Sequence, residues 1–570
     1  MSSPPTTKEM SDPEAKTPDV RIEQTKDASG VLSNIRKTFR AIVFHTVKHT
    51  GVGIVCAVAY FDPGNWGVDL QAGSQFGYKL LFIVLLSGLF AMFLQVLASR
   101  LGCVTGLDLA SHCRLLLHDR PKHKLLYRWL LLYPLYILSE AAIISTDLAE
   151  LLGSGIALCL LFPKLPLWGG VLLTASDVFL LLALRDPVGG KPVRLFELLI
   201  GALVLIVLIC MAVIISKVGV NWGDAFDGFV PSKTLFQSGG LYTSIGIIGA
   251  TVMPHSLFLG SALATQDRVK AKPDKMSRPL LASPTLSMES DASEVTQPPR
   301  SRVQIVREEI RKTFSSVFKI ETAEKYAHEP KSHAERENNP LNFVRAHIYH
   351  GMVDIIISLL GFAVIINSLI LILASAVFYY GASAGNGPAS LFDAHDLLRD
   401  VVGKAAATLF ALALLAAGQS ASIIATMAGQ TVSEGFLRWR VSPVMRRLIT
   451  RCLGLIPSMT VAIAVGRSGV DTLLVASQVA LSIVLPFIVF PLLYLTSSKS
   501  IMQVKVPSPI PNSGEQPNEP SNPDTEAQGE QTVDYSNGIV FSCIGYFIWI
   551  IMLAANVYAI VSLGLGTENA

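Results

Sequence analysis

Val55-Cys56-Ala57-Val58-Ala59-Tyr60-Phe61-Asp62-Pro63-Gly64-Asn65-Trp66 sets a carboxylate, a helix breaker, a flexible residue and a carboxamide inside the first strongly apolar segment of the chain. An ionisable side chain at the centre of a bilayer costs roughly 2.5–3.5 kcal/mol on insertion scales, so its presence calls for a reason. Pro63 and Gly64 free backbone carbonyls that a continuous helix would use. Such a break is tolerated only where it faces protein or a polar cavity. Read alone, the stretch also fits a Pro bend near a helix end, with Asp62 capping the next turn.

The surrounding chain supplies the membrane. Of its residues 51% are hydrophobic and only 16% charged, against about 25% charged in soluble domains, so it belongs with polytopic membrane proteins. The net charge of +3 averages basic and acidic loops and gives no argument for nucleic acid. Seven Cys lie in apolar segments (Cys56, Cys159, Cys210, Cys452, Cys543) or beside a basic loop (Cys103, Cys113), without CxxC spacing. Neither a disulfide framework nor a thiolate metal site is indicated. Residues 1–48 are polar and Pro-rich, then basic, with no apolar core of a cleavable signal peptide.

Runs long enough to span about 30 Å of hydrocarbon fall near 49–70, 79–101, 125–153, 165–185, 194–217, 237–264, 344–379, 403–433, 448–466, 470–497 and 536–563, eleven in all. The expected organisation is a disordered basic N-terminus (1–48), helices one to six (49–265), a disordered linker (266–340), helices seven to ten (341–497), a second linker (498–535), and helix eleven with the C-terminus (536–570). Within the first linker, residues 301–318 have the charge pattern of a short amphipathic helix. Basic connections set orientation. Arg114, Arg120, Lys122, Lys124 and Arg128, then Arg185, Lys191 and Arg194, then Arg438, Arg440, Arg446, Arg447 and Arg451 all fall on the side of the basic N-terminus. That side is expected to be cytoplasmic, as are both linkers, and the odd helix count puts the C-terminus opposite.

Segment six carries a second break, Ile247-Ile248-Gly249-Ala250-Thr251-Val252-Met253-Pro254-His255-Ser256, five helices after the first. Paired Gly/Pro interruptions at corresponding positions of two halves are the pattern of inverted-repeat transporters, whose substrates bind at the unwound points. An ordinary Pro kink with Met253 filling space is the plainer alternative. If the breaks meet, Asp62 offers an anionic oxygen, Asn65 a neutral oxygen, Ala250 a freed carbonyl and Met253 a thioether. Oxygen ligands alone suit Mg²⁺ or Ca²⁺; a soft sulfur shifts preference toward transition ions such as Mn²⁺ and Fe²⁺.

The two motifs together resemble the natural-resistance-associated macrophage protein (Nramp) family of proton-coupled divalent-metal importers. Further stretches agree: Ser139-Glu140 through Asp147-Leu148-Ala149-Glu150 is similar to the family's acidic third helix. Ala417-Gly418-Gln419-Ser420 through Gly435-Phe436-Leu437 is similar to its transport signature, and Ser477-Gln478 to its tenth helix. The resemblance spans about residues 45–500. Ser256 and Gly260 are of the fungal kind, where most bacterial and animal members have Asn and His. The resemblance implies an all-α polytopic membrane protein with a LeuT-like 5+5 inverted repeat, broken helices one and six, and eleven transmembrane helices. It implies metal binding by Asp62, Asn65, Met253 and the Ala250 carbonyl, with Gln478 joining in some conformations. Gly260 lacks the imidazole many relatives carry, so no proton role transfers to that position.

Glu140, Asp147 and Glu150 share roughly one stripe of helix three. Burial disfavours the charged form of a carboxylate, so these residues are candidates for a proton route, with structural ion pairing the alternative, above all for Glu150. Arg446, Arg447 and Arg451 are their expected basic partners, unless they serve only as the positive-inside signal. His255 is expected to tune or relay protons rather than ligate metal, or else to be a hydrogen-bonding spacer. The function expected is symport of Mn²⁺ or Fe²⁺ with protons into the cytosol by alternating access, the ion being substrate and no cofactor being needed. Two non-enzymatic alternatives remain, a metal sensor that does not transport and a carrier of an organic solute. An intramembrane aspartyl protease could use Asp62 and Asp147 but lacks a Gly-x-Gly-Asp partner motif. The expected partners are metal ions, protons, the lipid bilayer and regulatory proteins at the linkers; plasma, endosomal and vacuolar membranes all fit.

Overall fold

Helix one breaks where Pro63 removes a backbone donor. The computed structural model describes residues 51–176, 194–237, 239–268, 330–381, 389–438, 442–506 and 531–565. In it α1 (Val52–Val58) ends in tight turns, Ala59 and Tyr60 donating to the carbonyls of Cys56 and Ala57. Asp62 is extended (φ −65°, ψ 170°), and α2 (Pro63–Phe76) starts with Pro in its first turn, where the missing N–H costs nothing. Helix six repeats the device. Between α8 (Gly240–Thr251) and α9 (Pro254–Leu263), Val252 (φ −92°, ψ 86°) leaves helical geometry and Met253 is extended. Each Pro leaves the carbonyl four residues earlier, that of Ala59 or Ala250, without a helical donor.

Of the remaining helices, α3 (Leu81–Thr105), α5 (Tyr133–Leu161), α6 (Leu167–Thr174), α7 (Arg194–Lys217), α10 (Leu341–Ser358), α11 (Ile365–Ala374), α13 (Lys404–Leu437), α14 (Pro443–Ala464), α15 (Arg467–Ser497) and α16 (Ile539–Leu565) fall on the expected spans, whereas α4 (Leu109–Leu117) and α12 (Leu391–Val401) are short helices in stretches expected to be connections. Helix three runs to Leu161 rather than 153, because nothing in the apolar stretch 151–161 stops it before Pro163 and Pro166. Among the described residues, eight spans are long and apolar enough to cross a membrane. The other three expected segments are helix one, halved by its break; helix four, followed only to residue 176; and α14, whose apolar stretch is the shorter Leu448–Ala464.

Burial sorts the bundle. The apolar window of the broken helix six is 100% buried, against 39% for Phe196–Lys217 and 28% for Ile539–Ser562. The breaks therefore lie at the centre, while helices five and eleven form the outer wall. Around them α2 packs on α11 and α8, α9 on α3 and α13, α8 on α15, and α5 on α13 and α14.

The expected linkers are narrower than drawn. Arg336 donates to the Thr105 and Gly106 carbonyls, and Asn339 Nδ2 donates to the Cys103 carbonyl at 2.9 Å, tying residues 336–339 to the end of α3. On the second linker's flanks β1 (Gln503–Lys505) pairs antiparallel with β2 (Thr532–Asp534), Val504 opposite Val533. The N-terminus 1–48, residues 269–329 with the helix read at 301–318, residues 507–530, Arg185, Lys191, Arg440 and the tail 567–570 lie outside the described residues.

Candidate metal centre

Asp62 caps α2: its Oδ1 accepts from the Asn65 N–H at 3.0 Å. That reproduces the plainer sequence reading, and it leaves the second oxygen over. Asp62 Oδ2 is buried without a hydrogen-bond partner among the described residues, and so are Asn65 Oδ1 and Gln478 Oε1. Buried polar atoms are satisfied in the large majority of cases, and three of this molecule's unmet oxygens gather at one helix break. Asn65 is oriented by its Nδ2, which donates to the Tyr60 carbonyl at 2.7 Å; Asn367 Nδ2 of α11 donates to the same carbonyl at 2.7 Å. Both carboxamides are thus turned so that an oxygen is left unused.

Gly64 explains how Gln478 arrives. A Cβ on Gly64 would collide with the Gln478 amide and stand 3.1 Å from Asp62 Oδ2. Only glycine lets the α15 side chain reach the break. From the other side Met253 is fully buried. Its carbonyl accepts from Ser256 Oγ at 2.8 Å, and that hydroxyl lies 2.7 Å from Tyr60 Oη. The first break is therefore linked to the second through Tyr60. Ala250 is buried two residues before Val252, with Pro254 unable to donate to its carbonyl.

Gly260 gives the space a side chain would take to Gln95. The Gln95 amide would overlap any Cβ there, and it bridges Cys56 Sγ at 3.3 Å and Tyr60 Oη at 2.8 Å. Gln95 and Asn367 escape the sequence reading, which names Tyr60 and Ser256 without giving them a place in the site. The signal for Gln95 and Asn367 was present, since each is a lone carboxamide in an otherwise apolar span.

The acidic stripe is a second region. Asp147 is buried on α5 in an ion pair with Arg451 of α14. Glu150 is buried one turn further, and Glu140, partly buried, takes a hydrogen bond from Tyr136. His255 Nδ1 stands 3.4 Å from Thr146 Oγ1, beside Asp147, so α9 joins the break to the stripe. Arg446 pairs with Glu434 at the end of α13. The Arg447 side chain lies outside the described residues.

Chemically the break offers one carboxylate, neutral oxygens and a thioether. Among the described residues no three His, Cys, Asp or Glu side chains come together as a metal cluster.

The chain matches the family model for natural resistance-associated macrophage protein-like proteins over residues 53–286 and 326–514. It is 38% identical to the manganese transporter pdt1 of Schizosaccharomyces pombe over 95% of this chain and 91% of that protein. It is 36% identical to the iron transporter SMF3 of Saccharomyces cerevisiae over 93% and 99% respectively. A crystal structure of a single-residue mutant of the Eremococcus coleocola manganese transporter superposes with a TM-score of 0.63 at 29% identity, covering 90% of this chain and 86% of that one.

Proposed function

The chain belongs to the natural resistance-associated macrophage protein family, and from that premise we propose that it is a secondary transporter of divalent transition-metal ions, Mn²⁺ and Fe²⁺ foremost, moving them into the cytosol with protons by alternating access. The observation that carries this reading is the trio of buried oxygens of Asp62, Asn65 and Gln478 without a hydrogen-bond partner among the described residues, at a break that Tyr60 and Ser256 link to the Met253 carbonyl. Unmet polar oxygens cost free energy in a membrane interior, and a cation coordinated by them removes that cost. The Ala250 carbonyl and the Met253 thioether complete the ligand set. The names of the relatives, manganese and iron transporters, agree with the ion class.

In this reading metal arrival at Asp62 displaces a proton, which leaves through His255 and the stripe of Glu140, Asp147 and Glu150 toward the cytoplasm, with Arg451 setting the charge balance at Asp147. The basic connections keep the N-terminus cytoplasmic. Nothing is done covalently to the ion, so the protein is a carrier and not an enzyme. A carrier of organic anions would meet repulsion from Asp62, and a protease dyad would need Asp147, which Arg451 engages.

Uptake of radioactive Mn²⁺ into proteoliposomes, with a pH gradient and competing Fe²⁺, Cd²⁺ and Ca²⁺, tests the proposal. Accumulation stimulated by external acid and suppressed by Fe²⁺ and Cd²⁺ more than by Ca²⁺ is expected. Binding without accumulation would make the protein a sensor instead.

A further inference from the structure

We propose that a recess in the outer wall of the bundle holds one acyl chain of an anionic phospholipid, whose phosphate is bound by Arg120 and Lys122. The recess has a volume of about 560 Å³, inside the roughly 300–1,000 Å³ range of small-molecule sites. It lies between α4, the start of α5, α15 and α16, and its walls are apolar. Cys113 and Leu117 are buried at its floor, whereas Leu130 and Phe490 are exposed at 65% and 46% on its rim.

Its shape follows from the sequence of α15. Pro486 and Pro491 interrupt the helix ladder there, and both line the recess. The carbonyl of Pro486 accepts from Trp549 Nε1 at 2.9 Å, which turns the indole into a fixed wall with its polar atom already satisfied. A recess in a membrane-facing wall whose lining is apolar apart from the Tyr494 hydroxyl and the Cys113 thiol suits a hydrocarbon tail.

The charge at the mouth selects the headgroup. The connection 114–128 carries Arg114, Arg120, Lys122, Lys124 and Arg128 against the single carboxylate of Asp119. Asp119 engages Lys124 at 2.7 Å and Arg128 at 3.0 Å, and Arg114 donates to the Phe436 carbonyl. Arg120 and Lys122 have no carboxylate partner among the described residues. Arg120 is nevertheless fixed: its Nε donates at 2.8 Å to the carbonyl of Leu116, itself a wall residue, and its guanidinium lies 5.5 Å from the Tyr127 ring. Arg120 tied to a wall residue of the apolar slot, with Lys122 two positions further along the same connection and neither matched by a carboxylate among the described residues, suits a phosphate above a tail. Trp129, exposed at 69% and packed edge-on against Tyr133, is the aromatic residue expected at the headgroup level beside it.

The test uses the full chain in nanodiscs containing phosphatidylserine or phosphatidylcholine brominated at mid-chain, with tryptophan fluorescence as the readout. Bromine in the recess lies against Trp549. At equal low mole fraction, brominated phosphatidylserine is expected to quench more than phosphatidylcholine. That excess is expected to vanish in Trp549→Phe and in the double variant Arg120→Gln/Lys122→Gln. Trp549→Phe also loses its bond to Pro486, so a second variant adds Leu130→Trp to it and is expected to regain the excess. Equal quenching by both lipids would overturn the proposal. So would an excess that survives either Trp549→Phe or the double variant, or brominated cholesterol that quenches Trp549 in preference to phosphatidylserine.

Discussion

Asp62 and Asp147 are carboxylates buried in one helix bundle, and the fold treats them in opposite ways. Asp147 faces Arg451, also buried, so its charge is matched inside the protein. Asp62 is capped by backbone N–H groups, that of Asn65 foremost, and keeps one oxygen without a hydrogen-bond partner among the described residues. A third carboxylate, Asp354 of α10, lies between these cases, accepting from the Gly51 and Gly53 amides at 3.2 and 2.7 Å where α1 begins. A matched charge is complete in itself; an unmatched one is stable only with a proton or a cation from outside. That difference, more than burial, separates a carboxylate open to an incoming cation from one whose charge is already balanced.

The comparison can be broken most sharply at Asp62. Asp62→Asn is expected to weaken Mn²⁺ binding by at least about 100-fold, the upper end of what loss of a mere supporting residue costs, as titration calorimetry would register. The thermal stability of the metal-free protein should not fall, because no internal ion pair is lost. Retained binding in this variant would remove the central premise.

Asp147→Asn should do the reverse. Leaving Arg451 buried without its counter-charge costs about 3–5 kcal/mol of stability, while Mn²⁺ binding stays measurable and acid-stimulated uptake disappears. Adding Arg451→Met should restore much of the stability but not the acid response. Unchanged pH dependence of uptake in Asp147→Asn would exclude the stripe as the proton route.

A smaller effect is expected at Met253. Met253→Leu preserves volume, so stability should change by less than about 1.5 kcal/mol. Its preference for Mn²⁺ over Ca²⁺ should drop by about tenfold, equivalent to about 1.4 kcal/mol, in competition uptake. An unchanged ratio would show that the oxygens alone choose the ion.

The faintest test concerns a contact with no charge to match. On the ordered end of the first linker, His333 Nε2 lies 2.9 Å from His112 Nδ1. Burial first, then Arg336 and Arg120, pushes the His333 pKa down to about 4, while the unfolded imidazole titrates near about 6.5. The unfolded chain therefore takes up the proton first, so stability from this contact is whole above about pH 6.5 and is lost as pH falls toward about 4. Melting temperatures compared between pH 7 and pH 5 should fall more for the native protein than for His333→Gln. Equal falls would show that the neutral pair contributes nothing.

The helical plan was readable because its signals are local. Apolar length places a helix, Pro63 and Pro254 break one, and their spacing across five helices suggests the repeat. Even the error at helix three was local, since the stretch 151–161 could end one span or begin another until Pro163 decided. Pairings were less readable. Nothing in the order of residues says that Arg451 turns to Asp147 while Arg446 turns to Glu434, or that Gln95 fills the space beside Gly260.

The sequence by itself determined the medium, the breaks and the chemical types at them: one carboxylate, one carboxamide, one freed carbonyl and one thioether. Those follow from composition and from proline's missing N–H, which act over a few residues. Only the tertiary structure decided which oxygens remain unmet. That outcome depends on Gln478 approaching over Gly64, on Asn65 and Asn367 turning their amides to one carbonyl, and on the arginine that reached Asp147 but not Asp62. Hydrogen bonds and ion pairs between distant segments are settled by packing geometry, which no local pattern contains.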